Sequence, residues 1–339
     1  MPRVLLTGGA GYIGTHVACV LAAAGRRSAS YDNYCNSSPK SLERVERIAP
    51  GMVQAYEGDI RDLGRLREVL RDGDFDSVIH FAGLKAVGES VAQPQRYREN
   101  NVGGTATLLG ALQESRVREF VFSSSATIYG AAARMPIDES CPPAPTNPYG
   151  ENKLEIERML ADLVRRDPSW RVALLRYFNP VGAHESGLIG EDPRGTPNNL
   201  MPYVCQAAVG KLPELRIFGD DYPTNDGTGV RDYIHVMDLA EGHVAALEAL
   251  DRSPAGAVLT VNLGTGRGYS VMELVEAFER VNGVKVPRRV VGRRPGDIAV
   301  CYADASLARK ILGWQARRGI EEMCRDAWRW QSMNPNGFE

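Results

Sequence analysis

A glycine-rich turn directly after a short apolar run restricts the possible folds of this chain more than any other segment. Apolar residues at 4–6 are followed by Thr7-Gly8-Gly9-Ala10-Gly11-Tyr12-Ile13-Gly14, and a helical apolar pattern continues over residues 12–24. Glycines at this spacing allow a tight turn, a close approach of the backbone to a pyrophosphate, and close packing of the helix on the strand. The segment predicts the first βα unit of a dinucleotide-binding domain, although a plain strand–helix turn also satisfies the glycine spacing.

A carboxylate stands where the second apolar run ends. Asp32 follows the strand-like stretch 28–31, about 20 residues beyond the glycines. A carboxylate there accepts hydrogen bonds from the adenosine ribose and repels a 2′-phosphate, so NAD is favoured over NADP. The alternative role for Asp32 is the cap of a turn. Asp59, after the third strand-like stretch, is predicted to reach the adenine.

Short apolar runs alternate with amphipathic, helix-compatible stretches through the first half of the chain. Strands are predicted at residues 28–31, 53–57, 78–81, 120–123 and 171–176, and helices at 63–70, at 97–113 and from about 149 onward. This alternation is typical of parallel strands joined by helical crossovers. We therefore predict an α/β fold: a doubly wound parallel (Rossmann) sheet with a smaller mixed α/β lobe at the C-terminus.

The character of the sequence changes near residue 180, where loops rich in Gly, Pro and Asn begin. We expect residues 1–180 to form the dinucleotide-binding domain and residues 181–339 the substrate lobe. Strand-like segments within residues 231–263 could rejoin the first sheet, so the division is not expected to be a clean cut.

Composition excludes several classes of protein. The 339 residues contain 40 Lys+Arg against 42 Asp+Glu, a net charge of −2, which provides no broad cationic surface for a nucleic acid. The six cysteines are isolated, with no C-x-x-C pair, so neither a metal site nor a disulfide framework is predicted. No leader is apparent, and no apolar stretch approaches the ~18 residues of a membrane span. A cytoplasmic protein without a membrane partner is the expectation.

A tyrosine and a lysine stand four residues apart at the start of a predicted helix. Tyr149 and Lys153 therefore share one helix face, where the ammonium stabilises a phenolate. A cationic nicotinamide acts in the same direction, so the phenol can serve as a general base. Ser125 follows a strand at the carboxyl edge of the predicted sheet, where ligands bind in such folds, and is a candidate to pass the proton. A chance Y-x-x-x-K pair is the alternative, and the position of the motif argues against it.

These motifs together resemble the extended short-chain dehydrogenase/reductase superfamily. Longer strings resemble, more specifically, the UDP-glucose 4-epimerase family; they lie at residues 76–90, 175–184, 197–202 and 227–240, and the likeness extends over almost the whole chain. The resemblance implies an isomerase that moves the C4 hydride of a UDP-hexose to bound NAD, lets the 4-keto sugar rotate, and returns the hydride to its other face.

The resemblance also implies roles for individual residues. Tyr149 takes the proton of the 4-hydroxyl, Lys153 lowers the pKa of that tyrosine and holds the nicotinamide ribose, and Ser125 relays the proton. The implied cofactor contacts are Gly8, Gly11, Tyr12, Ile13, Gly14, Asp32, Asn33, Cys35, Asn36, Ser37, Asp59, Ile60, Phe81, Ala82, Gly83, Lys85, Asn100, Ser125, Tyr149, Lys153 and Phe178.

The resemblance implies substrate contacts in the same way, including a site for the nucleotide end of the substrate. They are Lys85, Ser125, Tyr149, Asn179, Asn199, Leu200, Arg216, Phe218, Arg231, Arg294, Asp297 and Cys301. Guanidinium groups can fork onto a pyrophosphate, and Asp297 can accept from a ribose hydroxyl. Some relatives carry tyrosine where this chain has Cys301, so the hypothesis is that N-acetylated UDP-hexosamines also fit; ordinary packing of a small thiol is the alternative.

Three other functions share parts of this pattern. A sugar 4,6-dehydratase needs an acid and a base after the proton-relay residue, where this chain has Ala126-Thr127. A net NAD-dependent oxidoreductase shares the catalytic core, and only the resemblance disfavours it. A cofactor-binding regulator without chemistry is disfavoured because Ser125, Tyr149 and Lys153 are intact.

By resemblance a homodimer is expected, through helices at residues 97–113 and 152–165.

Overall fold

The first third of the chain follows the alternation of strand and helix that the sequence predicts. The computed structural model describes residues 3–132, 134–195, 197–294 and 296–339. Its opening elements are β1 (Arg3–Thr7), α1 (Tyr12–Ala23), β2 (Arg27–Asp32), α2 (Pro39–Ile48), β3 (Val53–Glu57), α3 (Leu63–Gly73) and β4 (Ser77–His80).

The middle of the chain departs from the prediction of one regular helix over residues 97–113. A π-helical turn interrupts that stretch, and its Asn101 side chain is bonded to the backbone of Leu84, accepting from Leu84 N at 2.8 Å and donating to Leu84 O at 3.0 Å. A π turn re-aims one side chain within a helix. The elements here are α4 (Val87–Ala92), α5 (Pro94–Arg98), the π turn (Glu99–Gly103), α6 (Gly104–Gln113), β5 (Glu119–Ser123), a 3₁₀ turn (Ala126–Tyr129), α7 (Pro148–Arg166) and β6 (Arg171–Tyr177).

The last part of the chain consists of shorter and mixed elements. They are β7 (Asn179–Val181), α8 (Leu200–Ala208), β8 (Leu215–Phe218), β9 (Val230–His235), α9 (Val236–Asp251), β10 (Val258–Leu263), β11 (Gly268–Ser270), α10 (Val271–Asn282), β12 (Arg288–Val291), β13 (Val300–Cys301), α11 (Ser306–Leu312) and α12 (Ile320–Met333).

Seven parallel strands form the central sheet in the order β10-β6-β5-β4-β1-β2-β3. This arrangement confirms the doubly wound α/β fold. The chain builds outward from β1 through β2 and β3 and then returns to place β4 on the other side of β1. Helices leave opposite faces of the sheet at that reversal, so a crevice opens beyond the carboxyl ends of β1 and β4.

The two late strands differ in where they pair. β10 lies beside β6, with Val258 opposite Val172 and Leu263 opposite Tyr177, so this segment does return to the first sheet. β9 does not, because its edges are taken by β11, β13 and β7 in a separate four-stranded sheet. A third, two-stranded sheet pairs β12 with β8.

Apolar side chains cover both faces of the central sheet. Alternate residues of β1 point to opposite sides: Val4 and Leu6 belong to the cluster that packs under α1 and α9, and Leu5 belongs to the cluster under α3, α6 and α7. A further cluster fills the C-terminal lobe between α8, α10 and α12. Among the described helices none is long and apolar enough to cross a bilayer.

Candidate active site

The glycine turn brings β1 and α1 into close backbone contact. Gly8 has a φ of 72°, in the left-handed region, and a Cβ on it would lie 2.7 Å from the backbone nitrogen of Ala82. A Cβ on Gly14 would lie 2.7 Å from the carbonyl oxygen of Gly8. Because Gly11 precedes α1 and has no side chain, it offers no cap acceptor to the first amides of that helix. Those amides are free to bind an anion.

Asp32 lies at the end of β2 and links the glycine turn to the loop after the strand. Its carboxylate accepts from Ala10 N at 3.0 Å, from Tyr34 N at 2.9 Å and from Ser37 Oγ at 2.8 Å. Only 7% of the residue is exposed. These bonds fix the carboxylate against the cleft with further acceptor capacity.

Asp59 is placed at the rim of the same region. Asn33 donates to it at 2.8 Å, and the guanidinium of Arg61 donates through Nε and Nη2 at 2.9 and 2.7 Å. The hydrogen bonds from Arg61 hold the pKa of this carboxyl well below its usual range. The carboxylate is therefore engaged by protein groups before any ligand arrives.

A cleft of about 200 Å³ opens beyond the carboxyl ends of β1, β2 and β4. Most of the cofactor contacts predicted from the sequence line it. They are Gly8, Gly11, Tyr12, Ile13, Gly14, Asp32, Asn33, Cys35, Asn36, Ser37, Ile60, Phe81, Ala82, Gly83, Lys85, Asn100, Tyr149 and Lys153.

Three predicted cofactor residues are not among the described residues that line this cleft: Asp59, Ser125 and Phe178. Phe178 is 4% exposed and packs in an apolar cluster with Ile128 and Leu154. Its role at the nicotinamide remains a prediction.

The start of α7 places Tyr149 and Lys153 side by side. Pro148 occupies the first turn, and the side chain of Asn147 caps the helix by accepting from Gly150 N at 2.9 Å. The Nζ atom of Lys153 donates to the carbonyl oxygen of Ser123 at 2.7 Å. It lies 5.7 Å from the centre of the Tyr149 ring, so the helix start brings the phenol and the ammonium to the end of β5.

Burial dominates the protonation of this pair. It lowers the pKa of Lys153 to about 8, an effect that Glu157 partly opposes. It raises the pKa of Tyr149 well above its usual value, while a contact with Ser125 acts in the opposite direction. In the protein alone the phenol therefore keeps its proton. The ammonium and a cationic ring both favour the phenolate, and burial opposes both.

Ser125 lies at the carboxyl edge beside the pair, as the cap residue of the 3₁₀ turn. Its hydroxyl oxygen accepts from Thr127 N at 3.2 Å and from Thr127 Oγ1 at 3.0 Å. Since both bonds use its oxygen as the acceptor, its own proton remains available to donate.

A buried polar network lies behind these three residues. Ser124 donates to Glu157 at 2.6 Å, and Arg176 donates to both oxygens of that carboxylate at 3.0 and 2.6 Å. Arg176 also donates to the hydroxyl of Tyr129 at 3.1 Å, and this hydroxyl donates to Asn262 at 2.7 Å. The network connects the residue after β5, the 3₁₀ turn, α7, β6 and β10.

A second cavity, of about 410 Å³, lies in the C-terminal lobe. The guanidinium of Arg294 lies 4.6 Å from the centre of the Phe218 ring and donates to Asp297 at 3.0 Å. Eight predicted substrate contacts line this cavity: Asn179, Asn199, Leu200, Arg216, Phe218, Arg231, Arg294 and Asp297. Guanidinium groups beside an aromatic ring suit an anionic nucleotide.

Asn198 lines both cavities, so they meet at the loop before α8. An ion pair crosses the same region: Lys85 Nζ lies 3.1 Å from Glu191 Oε1, and Asn199 donates to that oxygen at 2.8 Å. Lys85 follows β4 and Asn199 precedes α8, so Glu191 joins a predicted residue of the cleft to one of the second cavity.

Sequence reasoning missed Tyr177, Glu191 and Asn198 as lining residues. Tyr177 ends β6 at the carboxyl edge of the sheet, and Asn198 precedes Asn199 in a string already singled out, so both carried a usable signal. Glu191 lies in a loop without periodicity and carried none.

Cys301 lies on β13 opposite Arg231. It packs against the apolar cluster that contains Phe178, and burial raises the pKa of its thiol to about 11. The thiol is thus a small, protonated packing group.

Among the described residues no three His, Cys, Asp or Glu side chains are placed to hold a metal ion.

Comparisons with known proteins agree with this geometry. The family model described as NAD dependent epimerase/dehydratase family matches residues 4–264. A UDP-glucose 4-epimerase of Pasteurella multocida is 56% identical over 99% of both chains, and one of Bacillus subtilis is 56% identical over 99% of this chain and 98% of its own.

Solved structures show the same likeness. The UDP-glucose 4-epimerase of Bifidobacterium longum, in complex with NAD⁺ and UDP, superimposes with a TM-score of 0.95 at 54% identity over 99% of both chains. That of Stenotrophomonas maltophila, with bound NAD and formylated UDP-arabinopyranose, has a TM-score of 0.96 at 50% identity over 99% of both chains. The chain therefore belongs to the NAD dependent epimerase/dehydratase family and, within it, to the UDP-glucose 4-epimerases.

Proposed function

We propose that this chain is an NAD-dependent isomerase that interconverts UDP-glucose and UDP-galactose by inverting carbon 4 of the hexose. One observation carries the proposal most directly. Tyr149 and Lys153 line a cleft that begins at the glycine turn, and this cleft meets a guanidinium-lined cavity at Asn198. A dinucleotide and a nucleotide sugar can thus approach the same phenol from two sides.

The residues present fit NAD. The close backbone contacts at Gly8 and Gly14 leave no room for a side chain in the turn, and the uncapped amides of α1 suit a pyrophosphate. The fixed carboxylate of Asp32 suits a ribose with free hydroxyls and repels a 2′-phosphate. When bound, NAD⁺ supplies a positively charged ring that accepts hydride from the sugar and gives it back.

Three side chains of the protein handle the proton of the 4-hydroxyl. The Tyr149 phenolate, which the Lys153 ammonium stabilises, takes the proton and becomes the neutral phenol, and Ser125 donates a hydrogen bond that orients the sugar oxygen. Burial opposes formation of this phenolate, and a positively charged ring in the cleft would favour it. Reversal of the same steps returns the proton to the inverted sugar.

The second cavity holds the UDP end of the substrate. Arg231 and Arg294 bind the pyrophosphate, Phe218 packs on the uracil, and Asp297 accepts from the ribose. Strong contacts to UDP and weak contacts to the hexose let the keto sugar turn over while it remains bound.

Cys301 is the basis for a broader specificity. Cys301 pairs on β13 with Arg231, a residue that lines the second cavity, and we infer that a tyrosine at this position would take space that an acetamido group needs. UDP-N-acetylglucosamine and UDP-N-acetylgalactosamine are therefore proposed as further substrates.

The remaining assignments concern organisation. Residues 1–180 together with β10 make up the dinucleotide domain, and most of residues 181–339 make up the substrate lobe. Helices α6 and α7 join a four-helix contact in a homodimer. The six cysteines are free thiols, which suits the reducing cytoplasm.

The test is to incubate the purified protein with UDP-galactose, without added NAD, and to measure UDP-glucose. We expect conversion by the wild type, and a loss of about 10²–10⁴-fold in Tyr149→Phe with NAD still bound. Tyr56→Phe, on β3, is the matched control and retains activity. A wild type that holds NAD but converts no UDP-hexose would show that the protein is a cofactor-binding regulator instead.

A further inference from the structure

A buried ion pair lies directly behind the reactive tyrosine and lysine. Glu157 stands four residues after Lys153 on α7, and its residue exposure is 4%. Arg176 forks onto its two carboxylate oxygens at 3.0 and 2.6 Å, and Ser124 donates to the first of them at 2.6 Å. All three groups are sequestered from water.

Such a pair adds little net stability over apolar residues of the same volume, because both charges lose their hydration. Its position is more informative. Residues four apart on a helix are neighbours, so Glu157 lies one turn below Lys153. Its partner Ser124 immediately precedes Ser125 in the chain.

The geometry points to Glu157 as a positioning residue that sets the charge of Lys153 and holds the end of β5 where Ser125 is presented. The inference rests on the proposed function, in which Lys153 and Ser125 serve Tyr149. Glu157 itself acts through these residues and not on the substrate.

The charged and titratable groups around Lys153 are few. Burial, together with the nearby Lys153, lowers the pKa of His80 on β4 to about 3, so His80 is uncharged at neutral pH. Burial also keeps Tyr149 and Tyr177 protonated, since it raises the pKa of both phenols. The ring of Phe122 and the carbonyl of Ser123 complete the contacts from β5. Among the described residues Glu157 is thus the anion that faces this ammonium, and it acts against the lowering of the Lys153 pKa by burial.

Arg176 limits the effect of Glu157 on the pKa of Lys153. Its guanidinium forks onto the same carboxylate and also donates to Tyr129, which is bonded to Asn262 of β10. The pair is therefore fixed in orientation by β6, the 3₁₀ turn and β10. Removing one member of the pair changes the field at Lys153 in one direction, and removing the other changes it in the opposite direction.

The test measures the pKa of Lys153 directly. The chain has six lysines, so selective ¹³Cε labelling gives six lysine signals, and the signal missing in Lys153→Met identifies the reactive one. We expect the pKa of Lys153 to fall in Glu157→Gln and to rise in Arg176→Gln, each by roughly one pH unit, the order expected for a unit charge about one helical turn away. Lys211→Met, at an exposed position, is the control for the labelling.

Equal pKa values of Lys153 in the wild type and both variants would overturn the inference, as would shifts of the same sign. If Glu157→Gln does not fold, Arg176→Gln alone still requires a rise. Glu157→Asp, which retains the charge, is expected to keep the pKa of Lys153 near the wild-type value even where kcat falls.

The titration needs no turnover, so the two proposals fail separately. Opposite shifts in a protein that epimerises no UDP-hexose contradict the proposed function alone. Epimerisation with an unresponsive Lys153 contradicts the role of Glu157 alone.

Discussion

Replacing Gly14 by alanine tests the packing of the glycine turn. The added Cβ would lie 2.7 Å from the carbonyl oxygen of Gly8 and 2.7 and 2.9 Å from the Cα and carbonyl carbon of Gly9. All three neighbours are backbone atoms of the turn, so no side chain can move aside. The helix must shift away from β1.

The expected magnitude follows from two opposing effects. Overpacking a tight contact costs about 1–3 kcal/mol, and three backbone contacts below 3 Å place this case at the upper end. Alanine gains about 1 kcal/mol over glycine in a helix. The net loss of about 2 kcal/mol corresponds to a fall in Tm of roughly 3 °C for a chain of this size. We also expect at least about tenfold weaker binding of NAD, since about 1.4 kcal/mol of lost contact suffices for that.

Thermal unfolding and isothermal titration with NAD measure the two effects. Gly88→Ala, on the exposed face of α4 with no atom within 4 Å of the new Cβ, is the control and should be unchanged or slightly stabilised. If Gly14→Ala matched Gly88→Ala in both Tm and NAD affinity, close packing of the turn would not be what the glycines provide.

Three further predictions concern single side chains. Asp32→Asn should weaken NAD binding by about 10–100-fold, the value of a charge-assisted hydrogen bond, and should reduce the preference for NAD over NADP. Calorimetry with Asp62→Asn as the control measures both affinities, and an unchanged affinity of Asp32→Asn for NAD contradicts the prediction. Cys301→Tyr should lower kcat/KM for N-acetylated UDP-hexosamines at least about tenfold while leaving kcat/KM for UDP-galactose unchanged. Equal activity of the wild type and Cys301→Tyr on the N-acetylated sugars contradicts the role of Cys301 in specificity. The pKa of Lys153 is about 8 when folded against 10.5 for an ordinary lysine, so the unfolded chain binds the extra proton between these values and wild-type stability rises with pH across that window. Lys153→Met should be more stable than the wild type at pH 7 and lack this rise; denaturant unfolding at pH 7 and 9.5 decides it.

Much of the sheet could be predicted from the sequence because its strands carry continuous apolar runs. β1, β4 and β5 are buried on both faces, as strands of a parallel sheet must be, and the glycine turn marks the first crossover. The reactive pair could also be predicted from the sequence. Tyr149 and Lys153 follow a Pro at the start of a helix, and the helical period alone places them on one face.

What could not be predicted depends on contacts between distant segments. The π turn over Glu99–Gly103 accompanies the hydrogen bonds between Asn101 and the backbone of Leu84. No local sequence pattern predicts this turn. The place of β9 outside the central sheet depends on which strands reach its edges. Glu191 meets Lys85 across 106 residues of chain.

The return of β10 has a consequence for how the protein is made. The edge of β6 is covered only after residues 258–263 have been synthesised, and an uncovered strand edge invites pairing with other chains. A nascent polypeptide that ends near residue 180 thus has every residue of the glycine turn and the reactive pair but an unfinished sheet. Ribosome-bound intermediates of this length are the ones that need protection from aggregation, and truncation at the apparent boundary is not a route to an isolated dinucleotide-binding fragment.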